Sequence, residues 1–196
     1  PFEIVASPGQ EFREFVMWIA RVDEWKQPEL FVQLARRIPD QLFLMVAVAS
    51  QVNPTQLENI HKAAQHIANL KVLPAVPLHE TGRLFREAAV FVNTSRMEGF
   101  PNTYLQAAAS GTPIVSWAVN PDNMLDRYEL GFCAKEDWSR FEQSVRLLCR
   151  DRALRARMGE NGLEYVRQRH DPDAIVRTYL KLFTDLRSGR IPTIYQ

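Results

Sequence analysis

The sequence predicts an α/β fold in which a doubly wound parallel sheet of about six strands is followed by a helical C-terminal tail. Short apolar runs of strand length alternate with helical patterns along most of the 196-residue chain, as in βαβ units. These runs need not alternate in polarity, because helices cover both faces of such a sheet. After Glu136 the strand-like runs stop and only helical patterns follow.

The elements can be placed approximately along the chain. The clearest helix is predicted over 54–69, with Asn53 as its N-cap and Pro54 in its first turn. Other helices are expected to begin at Pro28 and after Asp171, and together the elements form a Rossmann-like pattern. The apolar runs that predict strands are 15–20, 42–49, 71–76, 90–94, 113–117 and 131–134.

The same pattern predicts three parts of the chain. Residues 1–14 lack periodicity and are expected to be a linker from a missing N-terminal domain. Residues 15–170 are expected to form the sheet domain, and 171–196 a C-terminal helix and tail. The formal net charge of +1 gives no reason to expect nucleic acid as a partner, since such proteins usually carry a clear basic excess.

The first candidate site follows the opening strand. Arg21 and Lys26 lie five positions apart, and the turn before Pro28 brings both side chains above the strand end. Two cations there suit a diphosphate, because arginine offers a planar fork and lysine a mobile point charge. Taken alone, however, this segment favours two solvated loop cations.

The second candidate site is more specific. A strand ends near Ser95, a loop containing Glu98 follows, and a short helix is predicted from Asn102 to a stop at Gly111. Backbone N–H groups around the helix start and the positive end of its dipole predict an anion site. Glu98 before the helix and Gln106 one turn inside it place polar groups on either side of that anion, which suits a sugar-diphosphate-nucleoside.

These segments resemble the C-terminal, donor-binding domain of glycosyltransferase family 4 (group 1), whose members have the two-domain GT-B architecture. The resemblance covers about residues 15–186. It rests on the Arg-x4-Lys pair at Arg21 and Lys26, and on the run from Glu98 to Val115, EGFPNTYLQAAASGTPIV.

The resemblance implies a retaining transferase that moves a sugar from a nucleotide-sugar, such as a UDP- or GDP-sugar, to an acceptor hydroxyl. It needs no cofactor and no metal, and no cluster here has metal-ligand spacing. The residues that it implies as catalytic are Arg21, Lys26 and Glu98. The residues that it implies in donor binding are Gly99, Phe100, Pro101, Asn102, Thr103 and Gln106.

The chain departs from the family pattern in ways that keep other interpretations open. Gln106 stands where the family usually has a glutamate that holds the ribose, so weaker nucleotide binding is expected. A degenerate, non-catalytic nucleotide-sugar-binding module is therefore the alternative, and a GT-B enzyme of other chemistry, such as an epimerase, is less favoured.

The remaining expectations concern partners and location. The acceptor-binding N-terminal domain of the same protein is the expected partner, and the fragment alone is expected to be inactive. A cytoplasmic location and a role in polysaccharide biosynthesis are expected, because members of the family usually act there. The arginine-rich stretch 146–157 suggests peripheral contact with the inner face of the membrane, but a solvated helical face is the favoured interpretation.

Overall fold

The computed structural model describes residues 15–53 and 55–189 of the chain. It contains a parallel sheet of six strands with helices on both faces, which confirms the predicted fold class. The predicted linker at 1–14, the first-turn proline at 54 and the end of the tail at 190–196 lie outside the described residues.

All paired strands of the sheet are parallel, and their spatial order is β3-β2-β1-β4-β5-β6. The order runs one way from β1 to β3 and the other way from β4 to β6, so the chain changes direction between β1 and β4. Such a switch point opens a crevice at the carboxyl ends of the two strands. The strands are β1 (Phe15–Arg21), β2 (Leu42–Val48), β3 (Leu70–Leu73), β4 (Ala88–Asn93), β5 (Ile114–Ser116) and β6 (Gly131–Cys133).

Eight α-helices occur in the described part of the chain, and the sheet separates two apolar cores. One core contains buried residues of the first, second and sixth helices, and the other contains residues of the third, fourth and fifth. The seventh helix contributes to both. The helices are α1 (Pro28–Arg37), α2 (Gln56–Ala64), α3 (Leu78–Glu87), α4 (Asn102–Ala109), α5 (Met124–Arg127), α6 (Trp138–Arg150), α7 (Arg152–Arg169) and α8 (Pro172–Arg187).

The second helix is shorter than the predicted span 54–69. It begins at Gln56 with Thr55 at the N-cap, so the prediction of Asn53 as N-cap was wrong. The Asn53 side chain instead accepts a hydrogen bond from the Thr55 hydroxyl at 3.0 Å. At the other end the Asn69 amide donates to three carbonyl oxygens around the end of α1, which turns the chain into β3.

The longest helix, α7, was not predicted as an element of its own. The arginine-rich stretch 146–157 is divided between two helices, because α6 ends at Arg150 and Asp151 caps α7 by accepting the Leu154 N–H at 2.8 Å. Four of the arginines make contacts within the chain. Arg146 pairs with Glu142 at 3.0 Å, and Arg155 donates to backbone carbonyls at the end of α6. Arg150 and Arg157 lie 3.8 and 3.9 Å from carboxylate oxygens of Asp40 and Glu129. None of the described helices is long and apolar enough to span a membrane.

Helix α7 packs closely against α4 because it carries glycines where the two meet. A Cβ atom on Gly159 would lie 2.3 Å from the Gly111 carbonyl oxygen, just past the end of α4. A Cβ atom on Gly162 would lie 3.1 Å from the Ala108 Cα atom. Glycine and alanine therefore let the backbones of the two helices approach, and this contact fixes α4 against the sheet.

We expect Gly159→Ala to destabilise the protein by about 1–3 kcal/mol, because the added methyl overlaps backbone atoms that cannot rotate away. Gly82→Ala in α3 is the matched control, since its Cβ would meet only the flexible end of Arg86 at 3.4 Å. The free energy of unfolding of the control should rise by up to about 1 kcal/mol, because alanine has a higher helix propensity than glycine. Urea unfolding of both variants measures the difference, and equal stabilities would contradict this account of the α4–α7 contact.

Candidate functional site

The crevice between β1 and β4 contains the candidate site. The two strands pair only from Phe15 to Met17 of β1, with a register irregularity, and beyond Met17 they separate. A cavity of about 260 Å³ opens there. Its polar lining residues are Arg21, Lys26, Asn93, Thr94, Ser95, Glu98, Asn102 and Thr103.

A hydrogen-bonded bridge spans the crevice at its base. The indole Nε1 of buried Trp18, on β1, donates to the Thr94 hydroxyl at 2.8 Å. The Thr94 hydroxyl in turn donates to the Lys26 carbonyl at 2.5 Å, and the Arg96 N–H donates to the Trp25 carbonyl at 2.8 Å. The loop after β1 and the loop after β4 are thereby held together, which brings both predicted segments to one cavity.

Lys26 and Glu98 form an ion pair inside the cavity. The Lys26 Nζ atom lies 2.8 Å from Glu98 Oε2, and both side chains are less than one fifth exposed. The Asn93 amide donates to the other carboxylate oxygen at 2.9 Å and accepts the Ser95 N–H at 2.9 Å. Burial opposes ionisation of Glu98, but hydrogen bonds from Lys26, Ser95 and Asn93 and the Lys26 charge outweigh it and lower its pKa.

Arg21 reaches the cavity from the end of β1. Its side chain is 58% exposed, and its Nε atom lies 3.1 Å from Oδ2 of Asp23, whose side chain is only 2% exposed. The Asp23 carboxylate also accepts a hydrogen bond from the buried Ser50 hydroxyl, just beyond β2. Sequence reasoning missed Asp23, Ser50 and Asn93, and its only available signal was their position at strand ends.

The start of α4 faces the same cavity. Asn102 and Thr103 belong to its first turn and line the cavity. N–H groups in a first turn lack carbonyl partners within their own helix. Pro101 occupies the N-cap position and makes no side-chain cap. The positive end of the α4 dipole therefore adds to the charge of Arg21 and Lys26.

Four of the predicted donor-binding residues do not line this cavity. They are Gly99, Phe100, Pro101 and Gln106. The Phe100 ring instead lies 5.8 Å from the His170 ring, at a second cavity of about 470 Å³, and burial lowers the pKa of His170.

The arrangement suits a phosphate-bearing ligand with hydroxyl groups. Two cations and a helix start meet on one side, and a carboxylate that can accept hydrogen bonds from hydroxyls lies beside them. No group of three or more histidine, cysteine, aspartate or glutamate side chains able to hold a metal occurs within 15–53 and 55–189. The described residues can bind an anion through two cationic side chains and the positive end of a helix dipole.

The sequence matches a known family over most of its length. Residues 3–165 match the family described as Glycosyl transferases group 1. The chain belongs to this family. The predicted resemblance to the C-terminal domain of a group 1 glycosyltransferase is thereby confirmed.

A curated relative and two solved structures extend this result. A D-inositol 3-phosphate glycosyltransferase of Frankia alni is 30% identical over 117 residues, which cover 54% of this chain and 29% of that enzyme. The HepE protein of Anabaena, solved in complex with UDP, superposes with a TM-score of 0.77 at 18% identity, over 88% of this chain and 49% of that one.

The second structure is a C-terminal domain solved on its own. This domain, of a group 1 glycosyl transferase (LpcC) from Francisella tularensis, gives a TM-score of 0.68 at 17% identity, over 82% of this chain and 88% of that one. At such identities the likeness establishes the fold. The group 1 glycosyltransferase domain described here therefore spans only part of the length of HepE and of the Frankia enzyme.

We expect Glu98→Gln to lower the free energy of unfolding by roughly 1.5–3 kcal/mol at neutral pH, the range for hydrogen bonds to charged groups. Because folding lowers the pKa of Glu98, the stabilisation is present above the carboxyl's unfolded pKa and is lost as the pH falls through the folded value. Urea unfolding at neutral pH and in acid, below the folded pKa of Glu98, measures that loss.

The wild type and Glu98→Gln should therefore converge in acid. Glu58→Gln, an exposed glutamate on α2, is the control and should follow the wild type at both pH values. A Glu98→Gln difference that stays constant between neutral and acid pH would contradict the ionised pair.

Proposed function

We propose that this chain is the donor-binding half of a retaining glycosyltransferase, which moves a sugar from a nucleotide-sugar to an acceptor hydroxyl. The observation that carries the proposal is the cavity between β1 and β4, where Arg21, Lys26, Glu98 and the start of α4 meet. Membership in the group 1 family supports it, as does the UDP bound to the HepE neighbour.

The geometry supplies a physical role for each charged residue. Cleavage of the sugar–phosphate bond leaves negative charge on the departing diphosphate, and preplaced cations with a helix start stabilise that charge. Lys26 is paired with Glu98 in the cavity, so it exchanges a carboxylate oxygen for a phosphate oxygen when the donor binds. Glu98 is then free to accept hydrogen bonds from sugar hydroxyls.

The proposal includes a second domain that binds the acceptor. Helix α8 supports it, because none of its described residues is buried and it exposes large apolar side chains. The exposed apolar residues are Ile175, Val176, Tyr179, Leu180, Phe183 and Leu186. We propose that this enzyme acts in polysaccharide synthesis, in the cytoplasm, at or near the inner face of the membrane.

A non-catalytic nucleotide-sugar-binding module is the second candidate. Gln106 favours it, since a glutamine has replaced the carboxylate that the family pattern usually has there. Gln106 lies one turn inside α4, half-buried and away from the lining of the cavity. The two candidates share donor binding and differ in sugar transfer, so separate measurements distinguish them.

Donor binding predicts that a nucleoside diphosphate stabilises the chain. Among UDP, GDP and ADP, one at about 100 times its dissociation constant should add about 2.7 kcal/mol and raise Tm by several degrees. Arg21→Ala should lose most of this shift, whereas Arg36→Ala, an exposed arginine on α1, should keep it. Differential scanning fluorimetry measures both, and no shift with any of the three nucleotides would refute donor binding.

Catalysis predicts a loss of turnover in the full-length protein. Arg21→Ala should lower kcat by roughly 100-fold or more, because it removes a group that stabilises charge in the transition state. NMR of the product should give the same anomeric configuration as the donor sugar. If turnover of Arg21→Ala stays within tenfold of the wild type, the assigned role of Arg21 is wrong. If the wild-type protein binds nucleotide but transfers no sugar, the non-catalytic module is favoured.

A further inference from the structure

Asp23 is a buried carboxylate at a helix N-cap position, but it does not cap that helix. Its side chain is 2% exposed, and aspartate is almost never fully buried unless it is paired. It occupies the N-cap position of the short 3₁₀ turn Glu24–Lys26, where an aspartate ordinarily accepts a backbone N–H of that turn. Here it makes no such side-chain cap. The carboxylate is committed to other groups.

One of those groups is the Ser50 hydroxyl, which donates to Asp23 Oδ1. The same hydroxyl oxygen accepts the N–H groups of Val52 at 3.1 Å and Asn53 at 3.2 Å. Because a hydroxyl has one hydrogen and two lone pairs, these contacts fix its orientation toward Asp23. Ser50 is 4% exposed, so the carboxylate is anchored to the loop that follows β2.

The second oxygen of the carboxylate faces Arg21. Oδ2 is buried and accepts no hydrogen bond from the described residues, but the Arg21 Nε atom lies 3.1 Å away. The backbones hold this relation, since Arg21 pairs with Val48 in the sheet and the Val22 N–H donates to the Val48 carbonyl at 2.9 Å. The guanidinium is thus the group that compensates a buried negative charge.

We propose that Asp23 is a positioning residue for Arg21, and that Ser50 holds it in that role. The carboxylate takes the Nε side of the guanidinium and leaves the two terminal nitrogens for the anion in the cavity. A planar fork of this kind matches two phosphate oxygens at once. This inference rests on the proposed function, in which Arg21 binds the diphosphate of the donor.

The tether has a consequence for affinity. An arginine side chain that is 58% exposed is otherwise free to rotate, and binding must then immobilise it. A guanidinium already held beside the cavity loses less freedom when the ligand arrives, so the same contacts give tighter binding. Asp23 and Ser50 therefore act on donor binding only through Arg21.

A double-mutant cycle tests this dependence. Titration calorimetry with UDP, GDP and ADP first identifies the tightest nucleoside diphosphate, which is then titrated into Asp23→Asn, Ser50→Ala, Arg21→Ala and Asp23→Asn/Arg21→Ala. We expect Asp23→Asn to raise its Kd about tenfold, or about 1.4 kcal/mol, and Ser50→Ala to raise it several-fold. In the Arg21→Ala background, Asp23→Asn should change Kd less than twofold, since coupled residues are not additive.

The controls separate positioning from general stability. Thr112→Val removes another buried hydroxyl, which donates to the Phe85 carbonyl away from the cavity, and should leave Kd unchanged. If Asp23→Asn does not fold, Ser50→Ala and its combination with Arg21→Ala decide the question in the same way.

The outcomes distinguish the inference from the function beneath it. A wild-type chain that binds none of the three nucleotides overturns both. A wild-type chain that binds, with Arg21→Ala weaker but Asp23→Asn and Ser50→Ala unchanged, overturns the positioning role alone. If the losses of affinity caused by Asp23→Asn or Ser50→Ala add fully to the loss caused by Arg21→Ala, the positioning role is also overturned. Additive losses would come from a change in the fold and not from the arginine.

Discussion

The site depends on the separation of β1 from β4 and on the hydrogen bonds that span it. Two parallel strands that stayed paired to their ends would leave no crevice, but here the pairing stops at Met17 and Phe91. The Trp18 indole, the Thr94 hydroxyl and the Lys26 carbonyl then link the two sides in sequence. The cavity is open because the ladder ends, and its shape is fixed because this bridge replaces the ladder.

The charges of the site are balanced in pairs before any ligand arrives. Arg21 lies beside Asp23, and Lys26 lies beside Glu98, so each cation has its own carboxylate. The two pairs differ in where the carboxylate sits. Asp23 is buried beside its arginine, whereas Glu98 lines the cavity and, in the proposed function, exchanges its lysine for sugar hydroxyls. The Arg21–Asp23 pair therefore suits binding of an anion by a fixed cation, and the Lys26–Glu98 pair suits an exchange of partners.

The sequence was sufficient for the sheet and for the segments that line the cavity, because apolar runs and loop residues are local signals. It was not sufficient for α7, because glycines and alanines form its close contact with α4 and its apolar residues are divided between two cores. It also missed the partners of the charged residues. Ser50 and Asp23 lie on different loops, and only the β1–β2 register brings them together. Phe100 illustrates the reverse: it belongs to the motif that predicted donor binding, but its ring lies at another cavity.

Helix α4 joins the stability of the domain to its chemistry. Its first turn faces the cavity, and its buried alanines pack between the sheet and α7. The Tyr104 hydroxyl, buried within it, donates to the Val119 carbonyl at 2.8 Å and ties the helix to the loop after β5. A dipole stabilises an anion only if its axis stays aimed at the anion. The small residues that hold α4 in place thus set the direction of the positive helix end, although most of them lie far from the cavity.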